Sequence, residues 1–232
     1  MCWTILLMAI HLNGWVEVVG PSASRKGLFL ETNKEWLSKE LSRALNIGQD
    51  KITIVTKKER ETQNGGSRLP TRLVSYDEGD FRCFWNLLSR HRTGRTRVYA
   101  AKVAELLHKL SEATSPPPDT IAVTTHGVIN SILTLAVNSC LDDNLFVELL
   151  RSLPNKPTGI VILHMDINIL AAALDRRWVR GIEDNNEWII EQRKYFKKPE
   201  KFETYYYDRI SLLRDICNEC DVAVLDCPWS FA

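Results

Sequence analysis

Five short apolar runs recur along the chain, at Trp15–Val19, Ile52–Val55, Thr120–Thr124, Gly159–His164 and Asp221–Leu225. All are rich in Val and Ile, as parallel strands covered on both faces tend to be. Between them the period lengthens to that of a helix. Asn33–Leu45 places Trp36, Leu37, Leu41 and Leu45 near helical spacing, with Lys34, Glu35, Lys39 and Glu40 between them. Val98–Leu110, with Val103, Leu106, Leu107 and Leu110, follows the same rule, as do Ile169–Trp178 and Tyr205–Cys217. Strands alternating with amphipathic helices predict an α/β fold, a three-layer structure with a parallel sheet of about five strands flanked by crossover helices. Residues Lys57–Asp80, with Asn64, Gly65, Gly66, Pro70 and Gly79, read as a long polar loop. Ser115–Asp119 holds three prolines and ends the helix before it. Neither interruption is long enough to separate two domains, so a single domain over residues 1–232 is expected.

The sharpest chemical signal lies directly after the first strand, in Val18-Val19-Gly20-Pro21-Ser22-Ala23-Ser24-Arg25-Lys26-Gly27. A loop between a strand and a helix can turn successive backbone N–H groups toward an anion, with a lysine reaching the outer phosphates. The usual pattern is G-x-x-x-x-G-K-[ST]. Gly20 and Lys26 match it, Arg25 stands at the second glycine, and Gly27 stands where a hydroxyl would hold Mg²⁺. The run also resembles the Gly-Pro-Ser-Gly-Ser-Gly sequence of many nucleotide kinases, with two glycines replaced.

Later residues extend that resemblance. From Thr158 the chain reads T-G-I-V-I-L-H-M-D, then a helical stretch carrying Arg176, Arg177 and Arg180. This is similar to the fourth strand and lid of thymidylate kinases and related nucleoside monophosphate kinases, in which an apolar strand ends in Asp and arginines follow on a helix. Glu191–Phe196 and Tyr205–Cys217 resemble the helical stretch after the lid, and Asp221–Pro228 resembles the last strand, whose following loop meets adenine. The third-strand region departs most: His126-Gly127-Val128-Ile129-Asn130-Ser131 keeps only Ser131 of the family's Asp-Arg-aromatic-x-x-Ser run.

The resemblance implies a P-loop fold of the nucleotide kinase type with a lid over about residues 176–200, and an ATP-dependent phosphotransferase using ATP and Mg²⁺ on a small-molecule nucleotide. It implies Lys26, Arg176 and Arg180 as catalytic residues. Gly20, Ser22, Ala23, Ser24, Arg25, Lys26 and Gly27 would bind the nucleotide phosphates, with Cys227 and Pro228 beside adenine. Arg72, Arg82, His126 and Ser131 would face the acceptor, and Glu17 and Asp166 are the nearest carboxylates for the metal. The departures at Arg25, Gly27 and His126–Ser131 motivate a second reading, a nucleotide-binding or regulatory protein of the same fold with impaired turnover.

Composition narrows the setting. Among 232 residues, 30 Lys and Arg nearly balance 29 Asp and Glu, so no bulk field draws the chain to nucleic acid or to an anionic membrane. The basic cluster Arg90-His91-Arg92 and Arg95-Thr96-Arg97 lacks interleaved aromatics and reads as a solvated face or an acceptor-phosphate site. Met1–Ile10 is apolar but too short to span a bilayer and lacks a basic flank, which disfavours secretion. Six scattered cysteines do not form a disulfide framework, so a reducing, cytoplasmic setting is expected. Cys217 and Cys220 form a C-x-x-C without a matching second pair, which reads as buried thiols beside a strand rather than a zinc site. Oligomeric state is left open, a homodimer included.

Overall fold

The apolar runs become the strands of one sheet. The structure is a computed structural model that describes residues 14–54, 86–87, 89, 120–125, 127–139, 141–153 and 156–230. Strands β1 (Gly14–Val19), β2 (Ile52–Ile54), β3 (Ile121–Thr124), β4 (Gly159–His164) and β5 (Ala223–Pro228) are all parallel, in the order β2-β3-β1-β4-β5. Seven α-helices flank them among the described residues: α1 (Lys26–Thr32), α2 (Lys34–Leu45), α3 (Val128–Ser139), α4 (Asp143–Arg151), α5 (Ile167–Glu183), α6 (Glu187–Phe196) and α7 (Pro199–Glu219). None of these is long and apolar enough to cross a membrane.

Both faces of β1 are covered, and its side chains alternate between two cores. Val16 and Val18 pack with Phe29, Leu30, Leu37 and Leu41 of α1 and α2, whereas Val19 joins the cluster of α3, α4, α5 and α7. In β4, Val161 and Leu163 face the first layer, and Ile160 and Ile162 face the second. This two-sided burial is why β1, apart from Glu17, and β4 read as apolar runs without alternation.

Strand order places the site. The connection from β1 to β2 steps over β3 in one direction, and that from β3 to β4 steps over β1 in the other. Right-handed crossovers moving in opposite directions must put their helices on opposite faces. Accordingly α1 and α2 cover one face, and α3 and α4 the other. The carboxyl end of β1 is therefore a topological switch point, the place where open α/β sheets bind ligands.

The elements differ from their sequence reading in definite ways. The last strand begins two residues later than its apolar run, because Cys220 caps α7 and Asp221 takes a left-handed φ of 54° before the chain can extend. Helix α7 starts six residues before Tyr205, with Pro199 at its first position, where a missing N–H leaves nothing unpaired. Helices α1, α3 and α4 lie outside the helical stretches expected from the sequence, and α6 begins at Glu187, four residues before the Glu191–Phe196 stretch. Residues 176–200, expected as a lid, include the end of α5, all of α6 and the start of α7. Trp178 Nε1 donates to Gln192 Oε1 at 2.9 Å across α5 and α6, and a Cβ on Gly181 would lie 2.3 Å from Ile189, so only glycine permits this approach. Residues 98–110, 57–80 and 1–10 lie outside the described residues.

Candidate functional site: the loop after the first strand

After Val19 the chain turns through Gly20–Arg25 and enters α1 at Lys26. The turn is closed by Ser24 N–H donating to Pro21 O at 3.1 Å. Ala23 (φ 70°) and Arg25 (φ 50°, ψ 43°) both adopt the left-handed conformation. These are the two positions at which the nucleotide-kinase run carries glycine, so the backbone keeps the turn while the side chains oppose it. Gly20 is required for a different reason: a Cβ there would lie 2.8 Å from Ser24 Oγ and 3.3 Å from the Leu163 Cβ.

Two anchors hold the loop. Lys26 Nζ donates to Gly20 O at 2.8 Å and lies 3.4 Å from Pro21 O. Trp229, just past β5, donates from Nε1 to Ser24 O at 2.9 Å, while its own backbone N–H donates to His164 O at 2.7 Å. Its ring meets Phe29 of α1 edge-on at 5.2 Å. Cys227 is buried opposite Leu163, and Pro228 pairs with His164, so both residues expected near adenine lie at the carboxyl end of β5 close to Trp229. Burial pushes the Cys227 thiol up.

The electrostatics single out Lys26. Burial, and then the nearby Arg177 guanidinium, lower its pKa to about 8, against the smaller opposing pull of Glu17. Partial desolvation lowers Arg177 as well, although the residue is exposed. Two cations near each other at the end of a strand are relieved by an anion between them. Arg176, Arg177 and Arg180 all lie exposed on α5, and Arg180 faces Asp184 at 3.8 Å. The arginine whose charge reaches Lys26 is thus Arg177, which the sequence grouped with its neighbours but did not set apart.

The two carboxylates expected for a metal serve as helix caps. Glu17 is fully buried and accepts from Ile129 N (3.0 Å), Asn130 N (2.5 Å) and Asn130 Nδ2 (2.9 Å) at the start of α3. Asp166 caps α5, accepting from Asn168 N and Ile169 N at 2.9 and 3.2 Å. Among the described residues no three His, Cys, Asp or Glu side chains gather into a metal-binding group. Gly27 has open space around its missing Cβ. Of the C-x-x-C pair, Cys217 is buried with its thiol pushed up to about 12, chiefly by desolvation, and Cys220 Sγ lies 2.9 Å from Lys156 Nζ. Ser131 sits in the first turn of α3, its hydroxyl donating to Gly127 O at 3.1 Å. Arg72, Arg82 and His126 lie outside the described residues.

A small cleft opens beside Lys26, between the loop, α3 and α7. Gly20, Ser22 and Lys26 form one wall, Asn130, Leu133, Thr134 and Val137 the second, and Phe202 and Tyr206 the third. Tyr206 is 4% exposed, and its hydroxyl has no hydrogen-bond partner among the described residues. Burial first, then Tyr207 and Glu17, raise its pKa well above the usual phenol value. No sequence signal distinguished Tyr206 from Tyr205 and Tyr207.

No protein-family model matches the chain, and no curated protein matches it. Among solved structures it is similar to the crystal structure of a thymidylate kinase from Ehrlichia chaffeensis, with 11% identity and a TM-score of 0.33 over 94% of this chain and 88% of that one. The five-stranded all-parallel sheet with flanking helices is an α/β fold.

Proposed function

We propose that the chain is an ATP-dependent phosphotransferase acting on a nucleoside monophosphate or similar small acceptor, as one domain over residues 1–232. The observation that carries this reading is the placement of Lys26, with Arg177 nearby, in a strand–loop–helix turn at the switch point of the sheet. Backbone amides of Ser22–Gly27, apart from the Ser24 N–H that closes the turn on Pro21 O, would face the β-phosphate. Lys26 would leave Gly20 O and Pro21 O to neutralise the outer phosphates, with Arg177 completing the charge. Phosphoryl transfer asks mainly for positioning and charge stabilisation, which these groups supply. Arg176 and Arg180 would act only if α5 turned toward the loop.

The described residues do not fit a protein-held Mg²⁺. Glu17 and Asp166 cap helices, and Gly27 has no hydroxyl. The metal enters this proposal only as the ion that accompanies the nucleotide.

The same observation favours a second reading, nucleotide binding without turnover. The two are separated by incubating the protein with ATP, Mg²⁺ and a panel of nucleoside monophosphates and measuring ADP. ADP formation that depends on one acceptor supports the kinase. Saturable ATP binding with no ADP supports the second reading, and no binding at all defeats both.

A further inference from the structure

Four buried side-chain polar atoms lack a partner among the described residues: Ser24 Oγ, Glu203 Oε2, Tyr206 Oη and Arg209 Nε. Arg209 satisfies its other nitrogens on Leu141 O, Tyr205 and Asp143. Ser24 lies beneath the loop, against Gly20. Tyr206 differs in that its side chain lines an open cleft shared with Gly20, Ser22 and Lys26.

Buried hydroxyls are normally paired, and a phenylalanine of the same shape would carry no such penalty. The ring itself is well seated, stacked near Phe202 at 6.3 Å and edge-on to Tyr207 at 5.7 Å. What is missing is an acceptor. None of the polar groups lining the cleft hydrogen-bonds the Tyr206 hydroxyl, and Lys26 among them can only donate. The Glu17 carboxylate is engaged by the start of α3. A ligand completing the cleft must therefore bring acceptor oxygens, and the adjacent ammonium favours anionic ones. Leu133, Val137 and Phe202 close the far side, which suits a compact oxyanion.

We propose that Tyr206 donates a hydrogen bond to a phosphoryl oxygen held beside Lys26, making the cleft between the loop and α7 a phosphate subsite to which the last helix contributes. The inference rests on the phosphate-binding reading of the Gly20–Gly27 loop. Because burial keeps the phenol protonated, it remains a donor throughout the working pH range.

The test is calorimetric titration with inorganic pyrophosphate, beside thermal melts without ligand, for the native protein, Tyr206→Phe and Lys26→Ala. The expected result is that Tyr206→Phe melts at a higher temperature than native yet binds pyrophosphate about tenfold more weakly, the scale of one hydrogen bond to a charged group. Native-like affinity in Tyr206→Phe, with affinity lost in Lys26→Ala, overturns the role of Tyr206 and leaves the loop reading standing. A lowered melting temperature in Tyr206→Phe also overturns it, since the hydroxyl would then have a structural partner. A native protein that does not bind pyrophosphate, or a Lys26→Ala variant that binds it as well as native, removes the loop reading and this inference together.

Discussion

Glu17 and Asn130, 113 residues apart, are joined twice: Glu17 Oε1 accepts from both the main-chain N–H and the side-chain amide of Asn130, at 2.5 and 2.9 Å. The same amide also donates to Val18 O at 2.9 Å. A strand carboxylate thus caps the helix that follows the neighbouring strand, where its charge is favoured by the helix dipole. Gly127 makes room for it, since a Cβ there would fall 2.2 Å from Glu17 Oε2. This junction braces the strand that leads into the Gly20–Arg25 turn.

Removing the carboxylate strands two buried amides of α3. Glu17→Ala should lower the unfolding free energy by about 3 kcal/mol, and Gly127→Ala by a comparable amount through the clash. Urea denaturation with the slope held in common measures both. A loss under about 0.5 kcal/mol in Glu17→Ala would mean that the cap contributes nothing.

The left-handed residues of the loop predict the opposite sign. Ala23→Gly and Arg25→Gly should each stabilise the protein, by up to about 1 kcal/mol, by relieving the Cβ–carbonyl conflict at φ 70° and 50°. Gly20→Ala should destabilise it, because its Cβ meets Ser24 and Leu163. Calorimetric melting temperatures rank the three, and a rank order with Gly20→Ala on top would refute the assigned backbone.

On the proposed phosphate-binding reading, Lys26 should make anion affinity depend on pH. Its pKa is lowered to about 8 in the unliganded protein, and a bound anion raises it again. Binding therefore takes up protons above pH 8, and ADP affinity should be level below that pH and fall as pH rises through it. For folding the sign is reversed: the unfolded chain holds the Lys26 proton more tightly, so stability gained from this group increases as pH climbs from about 8 toward 10.5. Titrations in buffers of different ionisation enthalpy count the protons. Uptake that is absent at pH 8.5 in native protein, or present in Lys26→Ala, would assign the effect elsewhere.

At Gly27 nothing lies within 4 Å of a would-be Cβ, so serine fits without disturbing α1. Gly27→Ser should tighten ADP binding only when Mg²⁺ is present, because the hydroxyl offers the metal a ligand that the native chain lacks. Affinity measured against Mg²⁺ concentration decides the matter. Superimposable curves for the two proteins would place the metal away from the first turn of α1.

Much of this architecture is legible in the residues because both faces of the sheet are covered. Gly159–His164 is apolar up to its terminal His164 and Trp15–Val19 is apolar but for Glu17, and both are strands within a residue of their runs. Helix α3 was not legible for the same reason. Its V-I-N-S-I-L-T-L-A-V sequence is buried around most of its circumference, so the amphipathic period that marks α2 is missing. The loop was legible from Gly20 and Lys26, and its two replaced glycines still adopt a glycine-like backbone. Its partners were not. Arg176, Arg177 and Arg180 lie within about one turn of α5, and only the inward packing of Leu174 and Trp178 decides which of them approaches Lys26. Tyr206 stands among three consecutive tyrosines whose surroundings differ entirely once α7 is packed.

The bond from Trp229 to Ser24 spans 205 residues. During synthesis the loop leaves the ribosome early, but the indole that fastens it arrives only after the last strand has been made. A nascent or prematurely terminated chain thus carries the Gly20–Lys26 segment without its latch. The pairing of β1 with β4 and of β4 with β5 brings the indole to the loop, so the latch closes only once the sheet has assembled. The order of translation therefore leaves the Gly20–Lys26 turn of an incomplete chain without the indole that fastens it.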